Sequence, residues 1–281
     1  MRNNQDRLGM GAPTDNLQPA HEPPPTPAAA QFIVPTELVE LPSKGLFYDE
    51  GHPLYGRETV EIKHMTTKEE DILTNQSFVK NGTAIDKLLQ SVLVDPPKLN
   101  IKDMLIGDKN ALTVACRVFG YGAEYETKFS CPSCGTTQQH MFDLSEIEHS
   151  DFVENLEEFD AVIDYDKKMV VLPIPRTKTK LELRILTDDG ATTTRKNKKG
   201  NKFSIIKQYE KMIYSVNGNS DRAYVKNYID SMSALDSRYL RSAYSKIIPG
   251  VDFSCSFDCD ACGHEDEVEV PLAAEFFWPK S

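Results

Sequence analysis

The sequence lacks several features that mark whole classes of protein. It has no run of roughly 20 apolar residues, the length that a membrane-spanning helix requires. Its opening stretch, MRNNQDRLGMGAPTDNLQP, has no apolar segment of the secretory kind. Basic residues are fewer than acidic ones, 32 against 43, and the net charge is −11. We therefore expect no membrane partner and no general nucleic-acid binding, which needs a net basic surface.

The familiar signatures of catalysis are missing as well. No GxGxxG, P-loop, nucleophile-elbow or HExxH pattern occurs in the sequence. The acidic run Glu69-Glu70-Asp71 falls in the first turn of a predicted helix, where the helix dipole favours carboxylates. The stretch GYGAEY is more typical of packing than of a nucleotide site. We therefore predict that the protein is not an enzyme.

Composition divides the chain into regions of different character. Residues 1–31 are Pro-rich with few large apolar groups, which predicts a disordered arm, either a plain tail or one that wraps a partner. Residues 32–121 read as β structure followed by helices, and residues 146–249 as an insertion of β-hairpin and helices. Residues 122–145 and 250–278 carry the cysteine motifs. The predicted fold class is α+β, with helical segments and small antiparallel sheets.

Helices are predicted from caps and from apolar spacing. Thr66-Thr67-Lys68-Glu69 has the capping-box pattern and predicts a short helix over TKEEDILT. Apolar residues at helical spacing predict further helices. These cover residues 85–93, stopped by Pro96-Pro97; residues 112–119, ended by Gly120 and Gly122; residues 205–216, ended by Asn-Gly-Asn; and two shorter helices near 221–232 and 234–247.

Strands are predicted where apolar and polar residues alternate. ETVEIKHM alternates in this way, and AVIDY, MVVLPI and KLELRIL follow one another with the same character. Leu181, Leu183 and Ile185 alternate with Glu182 and Arg184, as in a sheet with one face in solvent. AEYETKFS and QQHMFDL flank a CPSC turn, which predicts two strands around a cysteine knuckle.

Two matched cysteine pairs are the most specific feature of the chain. Cys131 and Cys134 lie in FSCPSCG, and Cys259 and Cys262 lie in FDCDACG. Each pair ends in Cys-Gly, where a glycine suits the tight turn that points backbone amides at the sulfurs. Four thiolates complete a closed tetrahedral Zn²⁺ site with no open position for water. The sequence therefore predicts a split four-cysteine zinc ribbon with a structural role.

Because the two cysteine pairs are far apart in sequence, a zinc ion bound by both would cross-link distant parts of the chain. The 124 residues from 135 to 258 lie between them. Cross-linking such a loop removes about 4–5 kcal/mol of unfolded-chain entropy, and structural zinc contributes on the order of 10 kcal/mol in small modules. Free surface thiols and a thioredoxin-like redox pair are the alternatives. Cys255, His140 and His264 are further ligand candidates beside the knuckles, whereas Cys116 lies on an apolar helix face and predicts a core cysteine.

One basic run stands out against the acidic balance. RKNKKGNK, residues 195–202, carries five basic side chains and no aromatic residue. Stacking platforms for bases need aromatic side chains, so the run favours a solvated loop over a site for RNA or an acidic partner. A zinc-ribbon protein that binds nucleic acid or acts in transcription is the alternative function, and a thiol enzyme comes third.

Long stretches of the chain resemble a known family. ELPSKGLFYDEGHPL, EIKHMTTKEEDILTNQSFVKNGTAIDKLLQSVLVDP, LIGDKNALTVACRVFGYGAEY and the terminal EFFWP are similar to the T4-type bacteriophage baseplate proteins. The likeness is densest over residues 40–145, and residues 1–30 fall outside it. That family includes baseplate hub subunits and hub assembly proteins of contractile-tailed phages.

The resemblance implies a role in building the tail baseplate by binding other hub or tail proteins. It implies a place in the virion, with the host cytoplasm as the compartment of assembly. It does not decide between a retained hub subunit and an assembly factor, and it supplies no catalytic residue. The Pro-rich arm and Phe276-Phe277-Trp278 are the candidate docking surfaces, with core packing as the alternative for the three aromatics.

Overall fold

The computed structural model describes residues 34–97, 99–150, 152–187, 205–271 and 274–277. The predicted arm over residues 1–31, the basic run 195–202 and Trp278 lie outside the described residues. The described residues mix helices with small antiparallel sheets, so the predicted α+β class is confirmed. In the described ranges, no helix combines the length and the apolar character needed to cross a membrane.

The first part of the described chain is a small sheet followed by helices. Strands β1 (Thr36–Glu40), β2 (Thr59–Lys63) and β3 (Leu93–Asp95) form an antiparallel sheet in that order. The helices are α1 (Thr67–Thr74), α2 (Gln76–Asn81), α3 (Ala84–Val92) and α4 (Ile106–Tyr121). The capping box predicted for α1 is present, with Thr66 as N-cap and Glu69 as its partner.

The middle of the chain holds the hairpins and a four-stranded sheet. Strands β4 (Glu124–Ser130) and β5 (Thr137–Asp143) pair as a hairpin, and β6 (Glu148–His149) leads to α5 (Phe152–Glu158). The larger sheet has the order β10-β9-β8-β7, all antiparallel. Its strands are β7 (Val162–Asp164), β8 (Met169–Ile174), β9 (Thr179–Arg184) and β10 (Ile213–Val216), with α6 (Ile205–Met212) before β10.

Two helices and a second hairpin complete the described chain. Helices α7 (Arg222–Ser231) and α8 (Ala234–Ile247) are followed by β11 (Val251–Asp252), which pairs with β6. Strands β12 (Ser254–Asp258) and β13 (Glu265–Glu269) form the second hairpin, and a 3-10 helix covers Ala274–Phe277. The predicted helices near 221–232 and 234–247 and the strands around both knuckles are confirmed.

Two helix predictions were wrong at their C-terminal ends. Helix α3 stops at Val92, and Leu93–Asp95 pair with β2 before the prolines are reached. Pro96 disfavours a helical conformation at the residue before it, so the extended strand is the better local solution. Likewise α6 stops at Met212 and Ile213–Val216 join the sheet beside β9. In both cases strand pairing with a distant segment overrides an apolar spacing that also fits a helix.

Buried apolar side chains from most of these elements form one contiguous cluster. The inner faces of β8 and β9 contribute alternate residues, including Leu172, Leu181 and Leu183. Phe276 and Phe277 belong to the cluster, and the ring of Phe276 meets Tyr125 edge-on at a centroid distance of 5.3 Å. These two aromatics are therefore core residues, and the hypothesis that they form a docking surface was wrong for them.

Candidate metal centre

The two cysteine knuckles have the same backbone geometry. In the first, the amide of Gly135 donates to Cys131 O at 2.9 Å and the amide of Cys131 donates to Thr136 O at 2.9 Å. In the second, the amide of Gly263 donates to Cys259 O at 2.8 Å and the amide of Cys259 to His264 O at 3.0 Å. The two turns therefore have the same backbone hydrogen bonds and place their cysteines in the same positions, as the matched motifs predicted.

A glycine is required at the same place in both turns. Gly135 has φ of 72° and Gly263 has φ of 67°. These values lie in the left-handed region, which a residue with a Cβ adopts only with strain. The Cys-Gly ending of each motif therefore has a backbone cause, which the sequence pattern predicted.

The fold brings the four predicted cysteines together at one point. Their sulfur atoms all lie within 4.8 Å of one another. The Sγ atoms of Cys131 and Cys262 are 3.9 Å apart, and those of Cys134 and Cys259 are 3.7 Å apart. Sulfurs arranged tetrahedrally around zinc at Zn–S bonds of ~2.3 Å lie roughly 3.8 Å from one another. The spacing is therefore compatible with a bound metal ion, although metal binding itself stays a prediction.

Protein contacts also hold the two hairpins against each other. The Gln138 side chain donates from Nε2 to Asp258 O at 2.8 Å and accepts at Oε1 from the Asp260 amide at 3.0 Å. His140 Nε2 lies 3.2 Å from Ser256 O, and its ring packs on Phe257. Sequence reasoning missed Gln138 because nothing in its local pattern marks it. The contacts set the register of one knuckle against the other.

The neighbouring thiols shift one another's pKa in opposite directions. Hydrogen bonds from Thr136 lower the pKa of Cys134 to about 6. For Cys262 a backbone hydrogen bond from His264 lowers the pKa, but the adjacent Cys134 sulfur and burial outweigh it and raise the pKa to about 12. Neighbouring sulfurs thus resist joint ionisation. A bound divalent cation reverses this, because a coordinating thiol is deprotonated outright.

The other two cysteines and the side chains of the two candidate histidines are not part of this cluster. Burial, followed by the charge of Glu69, raises the pKa of Cys116 to about 12, and its side chain is in the core as predicted. Cys255 is buried, and its Sγ lies 3.7 Å from Asp143 O. His264 lies 3.5 Å from Asp266. Across the described ranges, the group of metal-ligating side chains consists of the four knuckle cysteines alone.

Fold and site together define an α+β protein in which two distant hairpins meet at a four-cysteine cluster. Residues 35–278 match the family model for the T4 bacteriophage base plate protein. Because this match covers most of the chain, the protein belongs to that family, and the resemblance seen in its sequence is confirmed. No curated protein and no solved structure matches the chain. Family membership implies a structural place in the phage tail baseplate.

Proposed function

We propose that this chain is a structural or assembly component of the baseplate hub of a contractile-tailed phage. It acts by binding other hub or tail proteins, and a structural zinc ion holds its fold. The observation that carries the proposal is the baseplate family match over residues 35–278. The site supports a structural rather than chemical role, since four thiolates leave no coordination position for a substrate or water.

Zinc is the metal that fits the donor set best. Four sulfur ligands in a tetrahedral arrangement suit zinc or an iron–sulfur centre, and zinc needs no redox partner. Cys131, Cys134, Cys259 and Cys262 would hold the ion. The ion would supply a cross-link between the first half of the chain and its C-terminal hairpin.

Metal analysis tests the zinc directly. We expect one zinc ion per purified chain, and Cys259→Ser should lower that ratio. Cys255→Ser is the matched control, since Cys255 lies in the same hairpin but outside the cluster, and it should keep the full ratio. Full zinc occupancy after loss of both Cys259 and Cys262 would rule out the cross-chain ribbon.

The absence of catalysis is part of the proposal and has its own support. Burial raises the pKa of the Cys116 and Cys255 thiols, so neither is an activated nucleophile, and Cys134, whose pKa is lowered to about 6, would be a zinc ligand. A thiol-reactive probe separates reactive from metal-bound sulfur. We expect slow labelling of the zinc-loaded protein and fast labelling of the knuckle cysteines after chelation. Fast labelling of one thiol in the loaded protein would instead favour a thiol enzyme.

The surface of the second knuckle argues against the nucleic-acid alternative. Its exposed side chains include Asp258, Asp260, Glu265, Asp266 and Glu267. Carboxylates at this density repel a phosphate backbone. We expect no salt-dependent shift of the protein with DNA or RNA near physiological ionic strength, and a clear shift would support the alternative.

Mass spectrometry of purified virions tests the hub role. A hub subunit stays in the particle, whereas an assembly factor is found with hub intermediates in infected cells and is lost from mature particles. Pull-down of hub proteins with the full chain and with a chain lacking residues 1–31 tests the arm as a docking surface. Absence of the protein from both virions and hub intermediates would overturn the proposal.

A further inference from the structure

A groove lies between the edge of the large sheet and two helices. Its volume is about 580 Å³, within the ~300–1,000 Å³ range of ligand-binding clefts. The floor is apolar, formed by Ile213 and Val225, both buried. Strands β9 and β10 and helices α6 and α7 supply the walls.

The rim of this groove is basic on a chain that is acidic overall. Arg184, Lys211, Arg222 and Lys226 line it, against one carboxylate, Glu210. Arg184, Arg222 and Lys226 are exposed and form no ion pair with any residue in the described part of the chain. The guanidinium of Arg184 lies 4.6 Å from the centre of the Tyr214 ring, which orients it at the rim. Three of the four rim cations, Arg184, Arg222 and Lys226, thus lack a carboxylate partner among the described residues.

The same chain carries a surface of opposite charge on its second hairpin. We call it the acidic ribbon: the exposed side chains Asp258, Asp260, Glu265, Asp266, Glu267 and Glu269 around the knuckle of β12 and β13. Glu265 and Glu267 form no ion pair with the described residues. In the described part of the chain, β13 pairs with β12 alone, so its other edge has no strand partner there.

Screening decides which charges matter when two copies approach. Each copy carries a net charge of −11, which repels at long range. At physiological ionic strength the Debye length is ≈ 8 Å, so contact between copies depends on the charges that face each other. Arginine pairs well with carboxylates because its planar fork donates two parallel hydrogen bonds. A long polyanion such as nucleic acid would extend beyond the rim onto a chain whose net charge is −11.

We propose that the basic groove receives the acidic ribbon of a second copy of this chain. The contact is head-to-tail, because each copy offers its groove to one neighbour and its ribbon to another. Such an interface forms a closed ring when the rotation between copies allows it, and an open filament when it does not. This inference builds on the proposed structural role, because it names a second copy of the chain as a partner. Self-association is measured without any hub protein, so its failure can be told apart from failure of the proposed role.

Sedimentation velocity of the zinc-loaded full chain tests this contact near physiological ionic strength and at high salt. We expect concentration-dependent association near physiological ionic strength that weakens about tenfold or more in Arg222→Glu/Lys226→Glu. Glu265→Lys/Glu267→Lys should weaken it equally. A mixture of the two variants restores complementary pairs and should associate again, although each variant alone does not. Recovery in the mixture is the decisive result, because a loss of folding cannot produce it.

Matched controls keep the test specific. Lys80→Glu/Lys102→Glu changes the charge by the same amount at exposed lysines outside the groove and should associate like the natural chain. Zinc content verifies that each variant keeps its ribbon, with Glu265→Gln/Glu267→Gln as the milder substitute. A natural chain that stays monomeric near physiological ionic strength, or equal weakening in the control, overturns the proposal. So does an oligonucleotide that binds the groove of a monomeric chain.

Discussion

Glu69 is a fully buried carboxylate that connects three parts of the fold. It accepts from Lys63 Nζ at 3.0 Å and from Ser91 Oγ at 2.6 Å through Oε1, and from the Thr66 amide at 2.9 Å through Oε2. Strand β2, the N-cap of α1 and helix α3 therefore meet at one side chain. Burial by itself raises the pKa of Glu69, but these hydrogen bonds outweigh it and lower the pKa to about 2. The capping box was visible in the sequence, whereas the bonds to Lys63 and Ser91 were not.

Substitution of this carboxylate should change both stability and its pH dependence. Because the folded pKa of Glu69 lies below its ordinary value of 4.5, the folded state binds fewer protons, and the stabilisation is present above pH ~4.5 and lost toward pH 2. We expect Glu69→Gln to cost about 2 kcal/mol near pH 7, with the difference shrinking as pH falls through this window. Urea denaturation at several pH values measures it. Asp71→Asn, in the same helix but exposed, is the control, and an equal Glu69→Gln deficit at pH 3 and pH 7 would contradict the assignment.

At the scale of elements, the start of α4 is wedged between two distant segments. Asp108 in its first turn accepts from the Ser43 amide at 2.9 Å and from Tyr48 Oη at 2.7 Å. On the other side, a Cβ built at Gly107 would lie 2.1 Å from Pro249 O and 2.8 Å from the Cα of Gly250. Close backbone approach thus requires a residue without a side chain at this helical position.

This contact predicts an effect opposite to helix propensity. Alanine is better than glycine inside a helix by about 0.5–1 kcal/mol, so propensity alone favours Gly107→Ala. We expect the clash with Pro249 to dominate and to destabilise the protein by about 1–3 kcal/mol in thermal or urea unfolding. Gly51→Ala is the matched control, since nothing lies within 4 Å of its added Cβ, and it should stay within about 0.5 kcal/mol. A more stable Gly107→Ala protein would show that the segment at 249–250 gives way.

At the scale of the whole molecule, the cysteine cluster joins segments far apart in sequence. Cys134 and Cys259 are 125 positions apart. The second hairpin and the C-terminal 3-10 helix depend on the same junction, since Tyr125 of β4 donates to Pro271 O at 3.0 Å and packs on Phe276. The proposed zinc would therefore act on more than its own turns.

Zinc removal should accordingly loosen the whole fold. Loss of a cross-link over this loop restores about 4–5 kcal/mol of unfolded-chain entropy, a large part of the 5–15 kcal/mol that typically stabilises a domain. We expect hydrogen exchange after chelation to accelerate in both hairpins, in the 3-10 helix Ala274–Phe277 and in the sheet between them. Added zinc should reverse the effect and magnesium should not. Acceleration confined to the two knuckle turns would show that the apolar core alone fixes the fold.

Local chemistry was enough to predict much of this protein from its sequence. The capping box at Thr66, the glycine after each cysteine pair and the helices before and after Ser233 depend on hydrogen bonds and dihedral angles within a few residues. The matched cysteine motifs predicted the cluster itself, because two such turns can together supply the four ligands of one structural metal site. The α+β class followed from the alternation of short periodic segments.

The tertiary structure decided what depends on distant partners. Leu93–Asp95 and Ile213–Val216 are strands because β2 and β9 offer them backbone hydrogen bonds, which no pattern within either segment reveals. Phe276 and Phe277 are core residues because the Tyr125 ring packs on Phe276 and the two phenylalanine rings contact each other, although their sequence suits a docking surface equally well. The contacts of Gln138 between the two hairpins and the basic groove likewise form only when separate elements pack together. A sequence pattern shows the periodicity of one segment. Burial and strand pairing depend on contacts between two segments, which the pattern of either one does not contain.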